Sequence, residues 1–246
     1  SNTGIGVNSL AKNTTASYNT AVGQGSMAEN TTGAENVAIG YASLDANTTG
    51  SSNVAVGQAA LSSNTTASHN TAVGKSALAS NTTGTGNVGI GRTAIGALST
   101  GSYNTAVGAY ALDASTTDSN NTAVGYGSLS ATDAGTQNVG VGVSALTTNT
   151  TGDYNTALGA YALLDNTTGA HNTAVGRQAL ANNTTASYNT SVGSMSMDDN
   201  TTGTNNVAVG YAALHANTTA VSNVAVGVNA LNTTTTGGYN VALGKD

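Results

Sequence analysis

The sequence predicts an all-β fold, a parallel β-solenoid (β-roll) built from 17-residue coils. Three observations lead to this prediction. Asparagine recurs every 17 residues from Asn2 to Asn240 without insertion or deletion, threonine or valine follows it, and a glycine stands four residues after it in every repeat. Seventeen residues are too few for the helical hairpins of α-solenoids, whose repeats need more than about thirty, and β-branched residues favour strands.

Numbered from this asparagine, the repeat reads N-[TV]-A-[VIL]-G-x-x-[AS]-L-x-x-N-T-T-[GA]-x-x, and residues that share a position form a column. Each repeat is expected to form one coil. About fourteen coils stacked at the strand spacing of roughly 4.8 Å would make a rod on the order of 65 to 70 Å long. We therefore expect residues 1–246 to form a single repeat domain, a segment of a longer fibre protein.

Columns 4 and 9 are predicted to form the core, because column 4 holds Val, Ile or Leu and column 9 holds Leu, Met or Ile. Alanine in columns 3 and 8 adds little apolar area, so the core of one chain would be thin. Three chains side by side would bury a second apolar seam along small residues such as Ala106 and Ala111. The sequence therefore predicts a side-by-side homotrimer.

Two further columns predict corners of the coil. The glycine of column 5 indicates a positive φ or a neighbouring backbone that passes closely. The asparagines of columns 1 and 12 are predicted to be corner residues whose side-chain amides bond to the next coil.

Composition argues against several classes of function. The chain has five Lys and Arg and a net charge of −6, which provides no basic track for nucleic acid. No apolar run of about 18 residues predicts membrane insertion by this segment. No cofactor or metal site is expected, because His69 and His171 share column 17 six coils apart and aspartates form no ladder. No base accompanies the serines and threonines, so we expect no enzyme.

The NTAVG segment at residues 70–74, followed by Ala77 and Leu78, resembles the head repeats of trimeric autotransporter adhesins. Those heads are left-handed parallel β-rolls in a trimer, although their repeats are shorter. The chain resembles still more closely the NTAVG repeats of phage tail fibres and bacterial fibre proteins, over essentially its whole length. The resemblance implies an extracellular protein at a bacterial cell surface or in a virion fibre.

Column 17 is variable and rich in aromatic residues, which are expected to be exposed. They are candidates for contact with a cell-surface glycan or protein receptor, or they stack on neighbouring coils for stability alone, and both interpretations stand. Columns 6 and 7 add Tyr41, Tyr110, Tyr126, Tyr161 and Tyr211. The candidate binding residues of column 17 are Tyr18, Tyr103, Tyr154, Tyr188 and Tyr239, alongside His69 and His171.

The Asn-Thr-Thr segments of column 12 satisfy the acceptor rule for N-glycosylation and are expected to line one edge of the rod. We favour the alternative that these asparagines and threonines bond in ladders at a turn. The candidate glycosylation sites are Asn13, Asn30, Asn47, Asn64, Asn81, Asn149, Asn166, Asn183, Asn200 and Asn217.

The leading functional hypothesis is a structural fibre shaft or surface adhesin that extends and displays a binding surface. One alternative is an ice-binding solenoid, in which Asn of column 12 and Thr of column 14 point the same way as a flat array. Another is an end-to-end extracellular filament, because neither terminal coil carries a capping sequence.

Overall fold

The computed structural model describes residues 1–245 of the 246-residue chain. The chain divides into two compact units, Ser1–Asn121 and Thr122–Asp246. Each unit is a parallel β-solenoid with one short strand per 17-residue coil, and no helix occurs among the described residues. The predicted all-β class, the parallel solenoid and the coil length are confirmed.

Every strand occupies columns 2 to 4. The first unit contains β1 (Thr3–Ile5), β2 (Thr20–Val22), β3 (Val37–Ile39), β4 (Val54–Val56), β5 (Thr71–Val73), β6 (Val88–Ile90) and β7 (Thr105–Val107). The second contains β8 (Thr122–Val124), β9 (Val139–Val141), β10 (Thr156–Leu158), β11 (Thr173–Val175), β12 (Thr190–Val192), β13 (Val207–Val209), β14 (Val224–Val226) and β15 (Val241–Leu243).

Within each unit, successive strands pair in parallel and in register. Ala21 of β2 lies opposite Ala38 of β3, and Thr156 of β10 lies opposite Thr173 of β11. Because the repeat contains no insertion, each residue stacks on the residue of its own column in the next coil. At a strand spacing of roughly 4.8 Å, the strand ladders advance about 29 Å in the first unit and about 34 Å in the second.

The coil closes through tight turns with left-handed residues. In the coil that begins at Asn53, the amide of Ala60 donates to the carbonyl of Gly57 at 3.3 Å, and the amide of Asn64 donates to that of Leu61 at 3.1 Å. Leu61 itself has a φ of 51°, and Ala59 has one of 55°. Such conformations cost about 1 kcal/mol or more each for a residue with a Cβ, so neighbouring coils must hold them in place.

Column 9 forms the apolar core, as predicted. Leu44, Leu61 and Leu146 are fully buried. Most other apolar core side chains are small alanines of columns 3 and 8, such as Ala55 and Ala60, which are also fully buried. The core is therefore narrow, with one large side chain in most coils; the coil of Ile95 adds the buried Leu98 in column 12.

Two sequence predictions about packing are wrong. Side chains alternate across a strand, and since column 3 points inward, column 4 points outward. Ile39, Ile90 and Leu158 of column 4 are 41%, 39% and 38% exposed, so column 4 is not part of the core. Ala106 and Ala111 are fully buried inside their own coil and are not available for a seam between chains.

Asparagine ladders complete the interior, and their hydrogen bonds between coils confirm that part of the sequence prediction. In column 1, the Asn70 amide donates to Oδ1 of Asn53 at 3.0 Å, and Nδ2 of Asn70 donates to the carbonyl of Gly84 at 2.9 Å. In column 12, Nδ2 of Asn64 donates to Oδ1 of Asn47 at 2.9 Å and to the carbonyl of Ala67 at 3.0 Å. Buried amides are thus paired both within a coil and between coils.

Gly74 of column 5 has a φ of 134°, and a Cβ added there would lie 2.5 Å from the Gly91 carbonyl oxygen. We expect Gly74→Ala to lower the free energy of unfolding by about 2–3 kcal/mol or more, because both the left-handed conformation and the clash with backbone oppose it. Ala59→Gly should instead raise it by about 1 kcal/mol, since glycine adopts a φ of 55° freely.

Denaturant unfolding followed by circular dichroism measures both changes. Ala38→Gly, in the strand of column 3 where Gly89 and Gly140 occur naturally, is the matched control and should be destabilising. Equal effects of Ala59→Gly and Ala38→Gly would contradict the assignment of conformational strain to column 7.

Candidate functional surface

No cavity was found among the described residues, and residues 1–245 contain no group of three or more His, Asp or Glu placed to hold a metal ion. That same part of the chain includes no helix of the length and apolarity that crossing a bilayer requires. The candidate functional residues are therefore those of the outward-facing columns.

The column 17 tyrosines lie on the surface. Tyr18, Tyr103, Tyr154, Tyr188 and Tyr239 are each at least half exposed. The residue of this column is left-handed in every coil, as Tyr154 with a φ of 58° illustrates, which turns the side chain outward before the buried asparagine of the next coil. Their exposure suits contact with a ligand, and that contact remains a proposal.

Three consecutive aromatic rings of column 17 stack in the second unit. The centroids of Tyr154 and His171 are 4.8 Å apart with an interplanar angle of 8°, and those of His171 and Tyr188 are 5.0 Å apart at 5°. In the first unit, Tyr103 lies against Gly86, where an added Cβ would come within 2.9 Å of the ring. The ring faces therefore serve stacking between coils, while the side chains remain exposed.

Columns 6 and 7 contain most of the cations of the chain and almost no acidic residue. Four of the five Lys and Arg lie in column 6, namely Lys75, Arg92, Arg177 and Lys245, whereas Asp246 is the only Asp or Glu in either column. Arg92 places its Cζ 5.3 Å from the ring centroid of Tyr110, in column 7 of the next coil. This segregation was not predicted, although it is visible in the sequence once each charged residue is assigned to its column.

The column 12 asparagines do not line an exposed edge, and that prediction is wrong. Asn30, Asn47, Asn64, Asn81, Asn149, Asn166, Asn183, Asn200 and Asn217 are fully buried, and Asn13 is half-buried. In column 14, by contrast, Thr49 and Thr83 are exposed. Columns 12 and 14 thus point in different directions, so the flat array required by the ice-binding hypothesis does not exist.

Four further asparagines satisfy the acceptor rule for N-glycosylation: Asn120 and Asn182 are exposed, Asn232 is half-buried and Asn189 is buried. Asn120 is followed by Asn121 and Thr122, and Asn182 by Asn183 and Thr184. Both lie outside column 12, in the exposed columns 17 and 11. Neither begins the recurring Asn-Thr-Thr segment, because Asn120 directly precedes a column 1 asparagine and Asn182 directly precedes a column 12 asparagine.

Three aspartates of column 10 have pKa values above the ordinary 3.8. Burial is the main cause of the raised pKa of Asp45, Asp113 and Asp198. Backbone hydrogen bonds or nearby positive charge lower the pKa of each carboxyl group, but by less than burial raises it. His215 of the next coil lies near Asp198, with Nε2 3.9 Å from Oδ2. The attraction of His215 lowers the pKa of Asp198, but burial outweighs it.

Comparison with known proteins gave no assignment. No protein-family model matches the chain, no curated protein sequence matches it, and no solved structure matches its fold.

Nδ2 of Asn183 already donates to Oδ1 of Asn166 at 2.8 Å and to the carbonyl of Ala186 at 3.0 Å, so a sugar on this atom would break the ladder. After production in a host that performs N-glycosylation, we expect glycopeptide mass spectrometry to find glycans on Asn120 and Asn182 but none on column 12. Sugar on Asn183 of the folded chain would contradict the buried ladder.

The raised pKa values of Asp45 and Asp113 predict a pH dependence of stability. The folded chain holds these protons more tightly than the unfolded chain, so the unfolding free energy falls as pH rises from about 3.8 through the folded-state pKa. In the variant with Asp45→Asn and Asp113→Asn, the unfolding free energy should no longer show this decrease with rising pH. The variant should also be more stable than the wild-type chain near neutral pH. Thermal unfolding between pH 3.5 and 7 tests this, and equal slopes in both proteins would refute it.

Proposed function

We propose that this chain is a structural fibre shaft or surface adhesin, assembled as a side-by-side homotrimer and displayed outside the cell, at a bacterial surface or in a virion fibre. The observation that carries the proposal is the outer face of the strands. Columns 2 and 4 present only Thr, Val, Ile and Leu to the outside, without a charged residue in any coil.

This strand face is apolar in both units. Ile39 and Ile90 in the first unit and Leu158 in the second are each more than a third exposed. Monomeric soluble proteins rarely expose contiguous apolar patches larger than a few hundred Å², and larger patches mark interaction surfaces. The continuity of the face from coil to coil supports burial against another surface of the same length.

A second copy of the chain matches this face best. Both copies repeat their side chains at the same strand spacing of roughly 4.8 Å. The outward side chains of one copy can therefore pack between those of the other copy in every coil. No like charges oppose such contact. The proposed contact between chains therefore lies on the strand face and not along the alanines predicted from the sequence. A closed symmetric assembly would cover the strand face of every copy. The resemblance to trimeric fibre proteins supports three copies.

The remaining outward columns suit display. Tyr103 and Tyr188 of column 17 and Tyr41 of column 6 are exposed on rigid, repeated positions. Repetition lets weak contacts with a cell-surface glycan or protein receptor add up by avidity. We assign no chemical reaction to the chain.

Sedimentation equilibrium tests the assembly. The purified chain is expected at three times its mass of 23.8 kDa. The variant with Ile39→Lys and Ile90→Lys should sediment as a folded monomer, because lysine places desolvated charge within the apolar contact. A monomeric wild-type chain would refute the trimer.

The matched control carries Thr49→Lys and Thr100→Lys, which add the same charge to exposed column 14 in the same two coils. This control should remain trimeric. If the Ile39 and Ile90 variant also stays trimeric with an unchanged circular dichroism spectrum, the strand face is not the contact surface.

A further inference from the structure

Hydrogen-bond donors line up along one ridge of the first unit. Column 6 holds Tyr41, Gln58, Lys75 and Arg92 in four successive coils, and Tyr110 of column 7 follows in the next coil. We call these five residues the donor track. At the strand spacing, they extend over roughly 19 Å. Every member can donate a hydrogen bond, and the two cations stand at the centre and toward one end.

The two cations of the donor track have no acidic partner. Lys75 and Arg92 are exposed, and neither forms an ion pair within residues 1–245. They occupy the same column in adjacent coils, so their positive charges repel each other. In a chain of net charge −6, this arrangement leaves a local positive site that an external anion would stabilise.

Hydrogen bonds between coils fix the backbone of both cations, and one aromatic ring contacts the Arg92 side chain. The amide of Thr93 donates to the carbonyl of Lys75 at 3.0 Å, and the amide of Tyr110 donates to that of Arg92 at 3.0 Å. The Arg92 guanidinium lies over the Tyr110 ring with its Cζ 5.3 Å from the centroid. A guanidinium ordered in this way loses less freedom when its planar fork binds a carboxylate or sulfate.

We propose that the donor track binds a linear acidic polysaccharide, with carboxylate or sulfate groups at Lys75 and Arg92 and sugar hydroxyls at Tyr41 and Gln58, while Tyr110 orders Arg92. This proposal rests on the display role proposed above and names the ligand class for it. A track of this length exceeds what a single small anion would contact, and the exposed Tyr41 at one end suits the apolar face of a sugar ring.

The charge pattern favours an acidic polysaccharide over nucleic acid. Duplex DNA carries one charge per roughly 1.7 Å, which calls for many cations along the contact. The donor track offers two, and the rest of the chain is acidic. A polymer with sparser charge and many hydroxyl groups fits the alternation of neutral donors and cations better.

Binding of the full chain to immobilised polygalacturonate and chondroitin sulfate, with dextran as the neutral polymer, tests the proposal. We expect weak binding to at least one acidic polymer, a loss of about tenfold or more on raising salt to 1 M, and no binding to dextran. Binding to polygalacturonate alone assigns the carboxylate, and binding to chondroitin sulfate alone assigns the sulfate. Equal or tighter binding to poly-L-glutamate or to duplex DNA would overturn the assignment to a polysaccharide.

The decisive variant carries Lys75→Gln and Arg92→Gln, which place in these coils a residue that column 6 already holds at Gln24 and Gln58. Its affinity should fall by about tenfold or more, since both charge-assisted contacts are lost. Arg177→Gln is the matched control, a cation of the same column whose charge acts on Asp198, and it should leave binding unchanged. Unchanged binding by the double variant would overturn the proposal.

Sedimentation of the same samples separates the two proposals. A trimer that binds neither acidic polymer refutes the polysaccharide site and leaves the fibre shaft standing. A monomer that binds through Lys75 and Arg92 refutes the trimer and retains the site.

Discussion

The structure depends on a hydrogen bond that repeats with the sequence, from the backbone amide of each column 1 asparagine to the side-chain oxygen of the asparagine one coil before. In the pair of Asn53 and Asn36 the two atoms are 2.9 Å apart, and both residues are fully buried. Nδ2 of Asn53 also donates a hydrogen bond to the carbonyl oxygen of Ala67, on the other side of the same coil. One side chain therefore ties its coil to the neighbour and also closes its own loop, which only an amide of this length does at this place.

Such buried amides make a narrow coil possible. One leucine and a few alanines per coil provide little apolar area, and several residues adopt left-handed conformations that cost free energy. Because an unpaired buried amide is costly, any slip of register would leave both asparagine columns unsatisfied. Where a column changes residue, the effect is visible: Leu98 follows Asn81 in column 12, and Oδ1 of Asn81 is buried without a hydrogen-bond partner.

The sequence was sufficient for the coil length, the parallel stacking, the leucine core of column 9 and the role of the asparagines, because each follows from strict periodicity. It misplaced column 4, since size alone suggested that Val or Ile lies inside and Ala outside. In the structure the inward-facing column 3 holds only small residues, Ala, Gly or Ser, and members such as Ala55 and Ser191 are fully buried. The two cations of the donor track, Lys75 and Arg92, were not predicted to form a site. Two charged residues in a chain of 246 form no recognisable motif until both are assigned to the same column.

Because each column stacks on itself from coil to coil, the fold does not fix the number of coils. Since every residue meets the residue of its own column one repeat away, as Ala21 meets Ala38, adding or removing a whole repeat of the common pattern within a unit leaves the types of core contact unchanged. A change of one residue more or fewer would set asparagine against threonine through every later coil. Genetic exchange between repeats can thus alter the reach of such a chain in whole steps without the need to redesign any contact.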